Sequence, residues 1–218
     1  MKIYEHIIFD LDGTISDPGL GITNSIMYAL KKFGIESERD DLYKFIGPPL
    51  RETFSKHYGF DKEKAELAVK YYREYFSQKG MFENIIYPNM KELLYRLNAM
   101  GKKLYIATSK PLEYTIIILE YFDIKQNFTF ISGSNMDGSM SEKSELIGCI
   151  VPVIGNSSLI KTIMIGDRVY DIEGAKYHKI DSAAVLYGYG DLIELKEADP
   201  TYLIKSTDEL ADFLTTTG

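Results

Sequence analysis

The sequence is poor in features that would place a chain in an oxidising compartment or in a membrane. It has a single cysteine, Cys149, so no disulfide can form within the chain. No apolar stretch approaches the ~20 residues that a membrane-spanning helix needs, and the N-terminal residues lack the pattern of a secretory signal peptide. We therefore expect a cytoplasmic protein that has no membrane partner.

Histidine and positive charge are also scarce. The three histidines, at positions 6, 57 and 178, do not have the spacing of a metal site. A formal net charge of −7 gives no electrostatic attraction for a nucleic acid polymer or an anionic membrane. Cys149 lies in an apolar run with no basic neighbour in the sequence, so we predict a small buried residue and not a reactive thiolate.

Short apolar runs that end in acidic, hydroxyl or glycine residues recur along the chain and predict buried parallel strands. A helix is predicted over 90–100 from its amphipathic spacing, with Pro88 near its start and Gly101 just past its end. Strands that alternate with helices predict an α/β fold with a doubly wound parallel sheet. The predicted strands are 6–9, 103–107, 128–131, 162–165, 183–186 and 202–204.

Residues 16–82 interrupt this alternation. They contain no convincing strand, but they have helical patterns near 22–33 and 62–76 that are separated by glycine and proline turn signals. We predict an all-helical domain inserted after the first strand, so that 1–15 and 83–218 together form the sheet domain. The alternative is that these helices merely cover the sheet.

Two pairs of aspartates each follow a predicted strand. Asp10 and Asp12 follow the first strand, and Asp167 and Asp171 follow 162–165. Because ligands of such sheets collect at the carboxyl ends of the strands, we expect these carboxylates to converge in one crevice. Like charges at short range raise each other's pKa unless a cation compensates, and Mg²⁺ prefers oxygen ligands. The alternative is a set of solvated turn and helix-cap residues.

These residues resemble the motifs of a known family. The segment 10–14 (DLDGT) resembles the first motif of the phosphatases of the haloacid dehalogenase (HAD) superfamily, and 166–171 (GDRVYD) resembles the fourth. Thr108 and Lys143 are similar in order and separation to the second and third motifs. The helical insertion resembles the cap of the phosphoglycolate phosphatase-like branch, in which a segment similar to 45–53 (FIGPPLRET) is common.

The resemblance implies a Rossmann-like HAD core with an inserted cap, and a Mg²⁺-dependent phosphatase acting on a small phosphorylated metabolite. It implies that Asp10 is the nucleophile that forms an aspartyl-phosphate and that Asp12 is the general acid and base. The implied Mg²⁺ ligands are the Asp10 carboxylate, the Asp12 backbone carbonyl and the Asp167 carboxylate. Asp171 is implied to support the metal site.

The resemblance also implies a phosphate-binding group of Thr108, Ser109 and Lys143. Lys143 lies near a predicted helix start, where an anion is also favoured. Gly13 lets the chain turn out of the strand while neighbouring amides face the phosphoryl oxygens.

Other basic residues are weaker candidates for contact with the substrate. In the predicted cap, Arg51 is the first candidate to contact an anionic tail of the substrate, ahead of Arg39 and Lys79. Lys110 follows the predicted phosphate-binding group in the sequence, and we interpret it as a surface lysine at the start of a helix. The segment 188–190 (GYG) follows another predicted strand, so a loop near the site is expected there without a catalytic role.

Several functions remain open at this stage. Phosphoglycolate is the substrate that the branch implies, while 5′-nucleotides and sugar phosphates are alternatives. A phosphomutase of the same superfamily would use the same aspartyl-phosphate and return the phosphoryl group to a sugar, and a dehalogenase would leave Asp12 and the acidic fourth motif unexplained. From another class, a phospho-accepting signalling domain also combines a parallel sheet with clustered aspartates, but it lacks a helical insertion after its first strand.

Overall fold

The computed structural model describes residues 2–216, and it divides into two compact units. The first unit is formed by the residues up to Ser16 and from Ile86 onward, and the second by Asp17–Ile85. The predicted insertion, 16–82, begins one residue earlier and ends three residues earlier than this second unit.

The first unit is built on a six-stranded sheet in which all neighbouring strands are parallel, in the order β5-β4-β1-β6-β7-β8. This arrangement confirms the predicted doubly wound parallel sheet. Two short strands, β2 and β3, pair with each other where the chain passes between the units. The strands are β1 (His6–Phe9), β2 (Ser16–Asp17), β3 (Ile85–Ile86), β4 (Lys103–Pro111), β5 (Phe128–Ser134), β6 (Thr162–Gly166), β7 (Asp181–Val185) and β8 (Tyr202–Ile204).

Helices account for most of the remaining chain. The first three helices belong to the second unit and the others to the sheet unit. The predicted amphipathic helix is the fourth, and it ends before Gly101, which has a φ of 78°. The helices are α1 (Gly19–Lys31), α2 (Leu50–Tyr58), α3 (Lys62–Tyr75), α4 (Met90–Ala99), α5 (Leu112–Tyr121), α6 (Lys143–Ile154), α7 (Val169–Tyr177), α8 (Leu192–Glu197) and α9 (Thr207–Thr215). None of the helices between residues 2 and 216 is long and apolar enough to cross a membrane.

Packing of α6 on the sheet fixes the position of its first turn. Leu146, Ile147 and Ile150 are fully buried in one cluster with Ile8 of β1 and Met164 of β6. Because β1 pairs with both β4 and β6, this cluster lies over the middle of the sheet. The first residue of α6, Lys143, is thereby held at the edge of the sheet where these strands end.

The prediction of a buried Cys149 is wrong. Cys149 is exposed, although its neighbours Ile147 and Ile150 are fully buried. The buried face of α6 follows helical spacing, and position 149 lies outside it. An apolar run in the sequence therefore did not distinguish the two sides of this helix.

The second unit contains only helices apart from the strand residues at its ends. It comprises α1, α2 and α3 together with a 3₁₀ segment, Arg39–Phe45, and a π-helical segment, Phe76–Gly80. Its core includes the fully buried side chains of Ile26, Leu30 and Phe54. Asp61 caps α3 by accepting a hydrogen bond from the Lys64 amide at 2.8 Å.

Candidate active site

Three aspartates meet at the carboxyl edge of the sheet. Asp10 directly follows β1, Asp167 directly follows β6, and these two strands are paired neighbours. Asp171 belongs to the first turn of α7. All three are buried, and one carboxylate oxygen from each lies within 4.8 Å of the other two. The topology thus brings together aspartates from two distant parts of the sequence.

Lys143 is a buried cation that contacts two of these three aspartates. Its Nζ donates to Asp10 Oδ1 at 2.8 Å and to the Ala107 carbonyl at 2.9 Å, and it lies 2.7 Å from Asp171 Oδ1. Burial alone lowers the pKa of Lys143, but the attraction of Asp10 and Asp171 outweighs burial and raises the pKa above its usual value. The two carboxylates therefore favour the charged form of Lys143 beside Asp10.

Asp167 and Asp171 are oriented by hydrogen bonds from the backbone. The Tyr189 amide donates to Asp167 Oδ2 at 2.8 Å, and the Arg168 amide donates to Asp171 Oδ2 at 3.1 Å. Burial is the largest cause that raises the pKa of Asp167, and the charges of Asp10 and Asp171 raise it further. Burial likewise raises the pKa of Asp171 to about 6, against the opposing attraction of Lys143. Without a bound cation, simultaneous ionisation of these neighbouring carboxyl groups is unfavourable.

Glycines border the aspartates because no side chain fits there. Gly13 has a φ of 84°, and a Cβ at this position would lie 2.1 Å from Asp167 Oδ2. A Cβ at Gly188 would lie 2.4 Å from both the Gly13 carbonyl oxygen and Asp167 Cβ. Gly13 is thus required by close packing against Asp167, in addition to the backbone turn that its sequence context indicates.

The loop that follows β7 contacts the site, as its place after a predicted strand indicated, although its hydrogen bonds were not predicted. The Tyr187 hydroxyl donates to the Thr14 carbonyl at 3.0 Å, and the Tyr189 amide binds Asp167. Gly188 lies between these two contacts. Alternation of tyrosine and glycine directly after a buried strand is the signal that pointed to this loop.

Two of the predicted phosphate-binding residues, Thr108 and Ser109, lie in β4. Thr108 is buried, and its Oγ1 accepts a hydrogen bond from the Lys110 amide at 3.3 Å. The Ser109 hydroxyl donates to the Ser141 carbonyl at 2.8 Å, so it links β4 to the segment before α6. Their phosphate contacts stay predictions.

Lys110 corrects our interpretation of the sequence. It is buried, not a surface residue, and its Nζ lies 2.7 Å from Asp12 Oδ2. The physical reason is that β4 continues through position 111: its register with β5 jumps from Thr108–Gly133 to Pro111–Ser134, so Ser109 and Lys110 form a bulge. Bulges redirect side chains, and they are common beside active sites.

The two carboxylate oxygens of Asp12 differ in their contacts. Oδ2 pairs with Lys110, while Oδ1 is buried and has no hydrogen-bond partner among residues 2–216. Burial raises the pKa of Asp12, and Lys110 opposes that rise.

Arg51, the first cap candidate, lies in the second unit and pairs there with Glu66, with 2.5 Å between Nε and Oε1. Arg39, in the same unit, donates to Asn24 at 2.8 Å.

The charges of the site fit a divalent cation. Four buried or largely buried aspartates face two buried lysines, which leaves two negative charges without a compensating group among these residues. Carboxylate oxygens are the donors that Mg²⁺ prefers, and Asp10, Asp167 and Asp171 supply three at short mutual distance. These three residues would hold the ion.

Comparison with known proteins shows the family of this chain. A family model described as haloacid dehalogenase-like hydrolase matches residues 7–185. The chain belongs to this family. It is 41% identical over 200 residues to a 5′-nucleotidase from Pseudomonas aeruginosa, covering 91% of this chain and 90% of the relative. It is 35% identical over 211 residues to the tyrosine-protein kinase PtkA from Mycobacterium tuberculosis, covering 95% and 72%.

A solved structure has the same fold over nearly its whole length. The crystal structure of a predicted phosphatase from Clostridium acetobutylicum superimposes with a TM-score of 0.91 at 42% identity. It covers 98% of this chain and 99% of that one. The Rossmann-like HAD core that the motifs predict is therefore confirmed.

Proposed function

We propose that the protein is a Mg²⁺-dependent phosphatase that hydrolyses small phosphate monoesters through an aspartyl-phosphate on Asp10. The observation that carries the proposal is the contact between Lys143 and Asp10, at 2.8 Å, within a buried group of three aspartates. The hydrogen bond from Lys143 orients the Asp10 carboxylate, which a nucleophile requires.

In the first half of the proposed reaction, an Asp10 oxygen attacks phosphorus and the bond from phosphorus to the leaving-group oxygen breaks. Asp12 gives its proton to that oxygen, so that an alcohol departs. In the second half, Asp12 takes a proton from water, which attacks phosphorus and releases inorganic phosphate together with the regenerated Asp10 carboxylate.

Positive charge is needed because a carboxylate anion must approach a phosphate dianion. The ammonium group of Lys143 contacts Asp10 directly, and this contact supports the proposal that Lys143 also binds the phosphoryl oxygens. Mg²⁺, when bound, supplies further screening and fixes the relative position of the two anions. Thr108, in β4, is the proposed hydroxyl donor to the phosphoryl group.

Three substrate classes are proposed for the first tests. The 41% identity to a 5′-nucleotidase favours 5′-nucleotides, and the resemblance of the insertion to the phosphoglycolate phosphatase-like branch favours phosphoglycolate. Sugar phosphates are the third class. Rank by kcat/KM across these esters identifies the preferred leaving group.

The test is phosphate release from p-nitrophenyl phosphate and from the three ester classes, with Mg²⁺ and with chelator. We expect sustained, Mg²⁺-dependent release that Asp10→Asn abolishes. Retained turnover in Asp10→Asn, or full activity with chelator, would contradict the mechanism. Release only at trace rates, with transfer of the phosphoryl group to a sugar, would indicate a phosphomutase.

A second candidate is phosphoryl transfer to protein tyrosine, because the chain matches PtkA over 95% of its length. Incubation with labelled ATP and a tyrosine peptide tests it. Label that accumulates on the peptide and persists in Asp10→Asn would support a kinase and contradict the phosphatase proposal.

A further inference from the structure

We propose that Lys110 is a positioning residue that holds the Asp12 carboxylate for proton transfer to the leaving group. The inference rests on the proposed phosphatase activity, in which Asp12 acts as acid and base. It concerns a residue outside the four motif positions that the sequence suggested.

The contact with Lys110 involves one carboxylate oxygen of Asp12 and leaves the other for proton transfer. Lys110 Nζ lies 2.7 Å from Oδ2, and the two side chains are 5% and 14% exposed. Oδ1 is buried and makes no hydrogen bond to any residue between 2 and 216. A carboxylate fixed through one oxygen presents the other in a defined direction, which is the arrangement that a proton donor to a substrate oxygen needs.

The backbone around Lys110 is fixed by its own contacts. Ser109 donates from its hydroxyl to the Ser141 carbonyl, and its carbonyl accepts from the Ser134 hydroxyl, both at 2.8 Å. On the neighbouring strand, a Cβ at Gly133 would lie 2.9 Å from the Lys110 carbonyl oxygen. The bulge is therefore packed tightly enough to determine where the lysine side chain begins.

The two buried lysines have separate acidic partners. Lys143 contacts Asp10 and Asp171, whereas Lys110 contacts Asp12. A lysine needed only to neutralise the aspartates would affect every substrate alike. A lysine that positions Asp12 affects the substrates that depend on proton donation.

Leaving groups of different basicity separate these roles. p-Nitrophenolate is stabilised by delocalisation and departs without a proton, whereas an alkoxide needs one. Because kcat/KM reports only the steps up to leaving-group departure, it isolates the half-reaction in which Asp12 is the acid. For Lys110→Met we expect kcat/KM to fall at least about tenfold more for an alkyl phosphate than for p-nitrophenyl phosphate, within the range of general-acid contributions.

Three further variants complete the experiment. Lys110→Arg, which keeps the charge, should restore most of the alkyl phosphate activity. In an Asp12→Asn background, Lys110→Met should not further change the ratio of kcat/KM between the two esters, because the carboxylate that Lys110 positions is absent. Lys102→Met is the matched control: the Lys102 Nζ binds the Tyr4 carbonyl at 2.6 Å, so its loss should affect both esters equally and little.

An equal loss on both esters in Lys110→Met, or an additive loss in the Asp12→Asn background, would overturn the role of Lys110 while leaving the phosphatase proposal intact. Absence of wild-type turnover on either ester would instead overturn the proposed function. If Lys110→Met does not fold, Lys110→Ala, which also removes the hydrogen-bond donor, is measured in its place with the same two outcomes.

Discussion

Lys143 Nζ lies 2.8 Å from Asp10 Oδ1 and is held at the same time by Asp171 and by the Ala107 carbonyl. The contact joins the first turn of α6 to the end of β1, two elements 133 residues apart in the sequence. It gives the proposed nucleophile a fixed cation, and several measurable consequences depend on this contact.

Replacement of Lys143 by methionine should lower kcat about 10²- to 10³-fold, the usual cost of removing one oriented charge donor from an active site. The reason is that Asp10 would lose its cation and the phosphoryl oxygens would lose a donor. Steady-state kinetics on p-nitrophenyl phosphate measures the effect. Lys196→Met, an exposed lysine of α8, is the control, and a loss of similar size there would remove the specific role of Lys143.

Mg²⁺ should raise the melting temperature of the wild-type protein, because the ion binds the folded site and relieves repulsion among buried aspartates. Asp167→Asn should remove most of this Mg²⁺-dependent increase. Differential scanning calorimetry with and without Mg²⁺ measures it, with exposed Asp212→Asn as control. An unchanged response in Asp167→Asn would show that the ion binds elsewhere.

Acidification should stabilise the metal-free protein relative to Asp171→Asn. Burial raises the pKa of Asp171 from 3.8 to about 6, so the folded state binds this proton more tightly than the unfolded state. The destabilisation from the buried charge is therefore complete above about pH 6 and is relieved as the pH falls towards the unfolded value. Thermal unfolding of both proteins at about pH 5 and about pH 7.5 measures the difference.

Over the same pH range, Mg²⁺ affinity should decrease as the pH falls, because the proton and the ion compete for the aspartates. Isothermal titration calorimetry checks this directly. Affinity that is constant across the range would contradict the raised pKa of Asp171.

Gly13→Ala should weaken Mg²⁺ binding and lower activity, because its Cβ would lie 2.1 Å from Asp167 Oδ2. Gly101→Ala separates crowding from backbone strain, since Gly101 also has a positive φ of 78° but has nothing within 4 Å of an added Cβ. Both variants should lose stability in urea denaturation. Only Gly13→Ala should also lose Mg²⁺ affinity, and an equal loss in Gly101→Ala would contradict the crowding argument.

Much of this site could be predicted because its residues are identified by their neighbours in the sequence. Asp10 and Asp167 each lie at the end of an apolar run, and the carboxyl ends of neighbouring parallel strands share an edge of the sheet. Lys143 was predictable as a helix-start residue, although its contacts with Asp10 and Asp171 required the strand order. That order depends on pairings between distant segments, which no local pattern contains.

Lys110 and Cys149 are two positions at which prediction from the sequence was wrong. Whether Lys110 begins a helix or remains in a strand depends on the bulge that β4 makes against β5, and so on pairing with Gly133 and Ser134 of the next strand of this sheet. Cys149 lies in a run that is apolar on every side, so the sequence did not reveal which side of α6 the sheet would cover.

The most direct test of the central claim is to trap the covalent intermediate. Asp12→Asn removes the base for hydrolysis of the intermediate, so brief incubation with p-nitrophenyl phosphate and Mg²⁺, an acid quench and peptide mass spectrometry should find a phosphoryl group on Asp10. The Asp10→Asn variant should carry none. A phosphoryl group on a different residue, or release of p-nitrophenol by Asp10→Asn at the wild-type rate, would contradict the account.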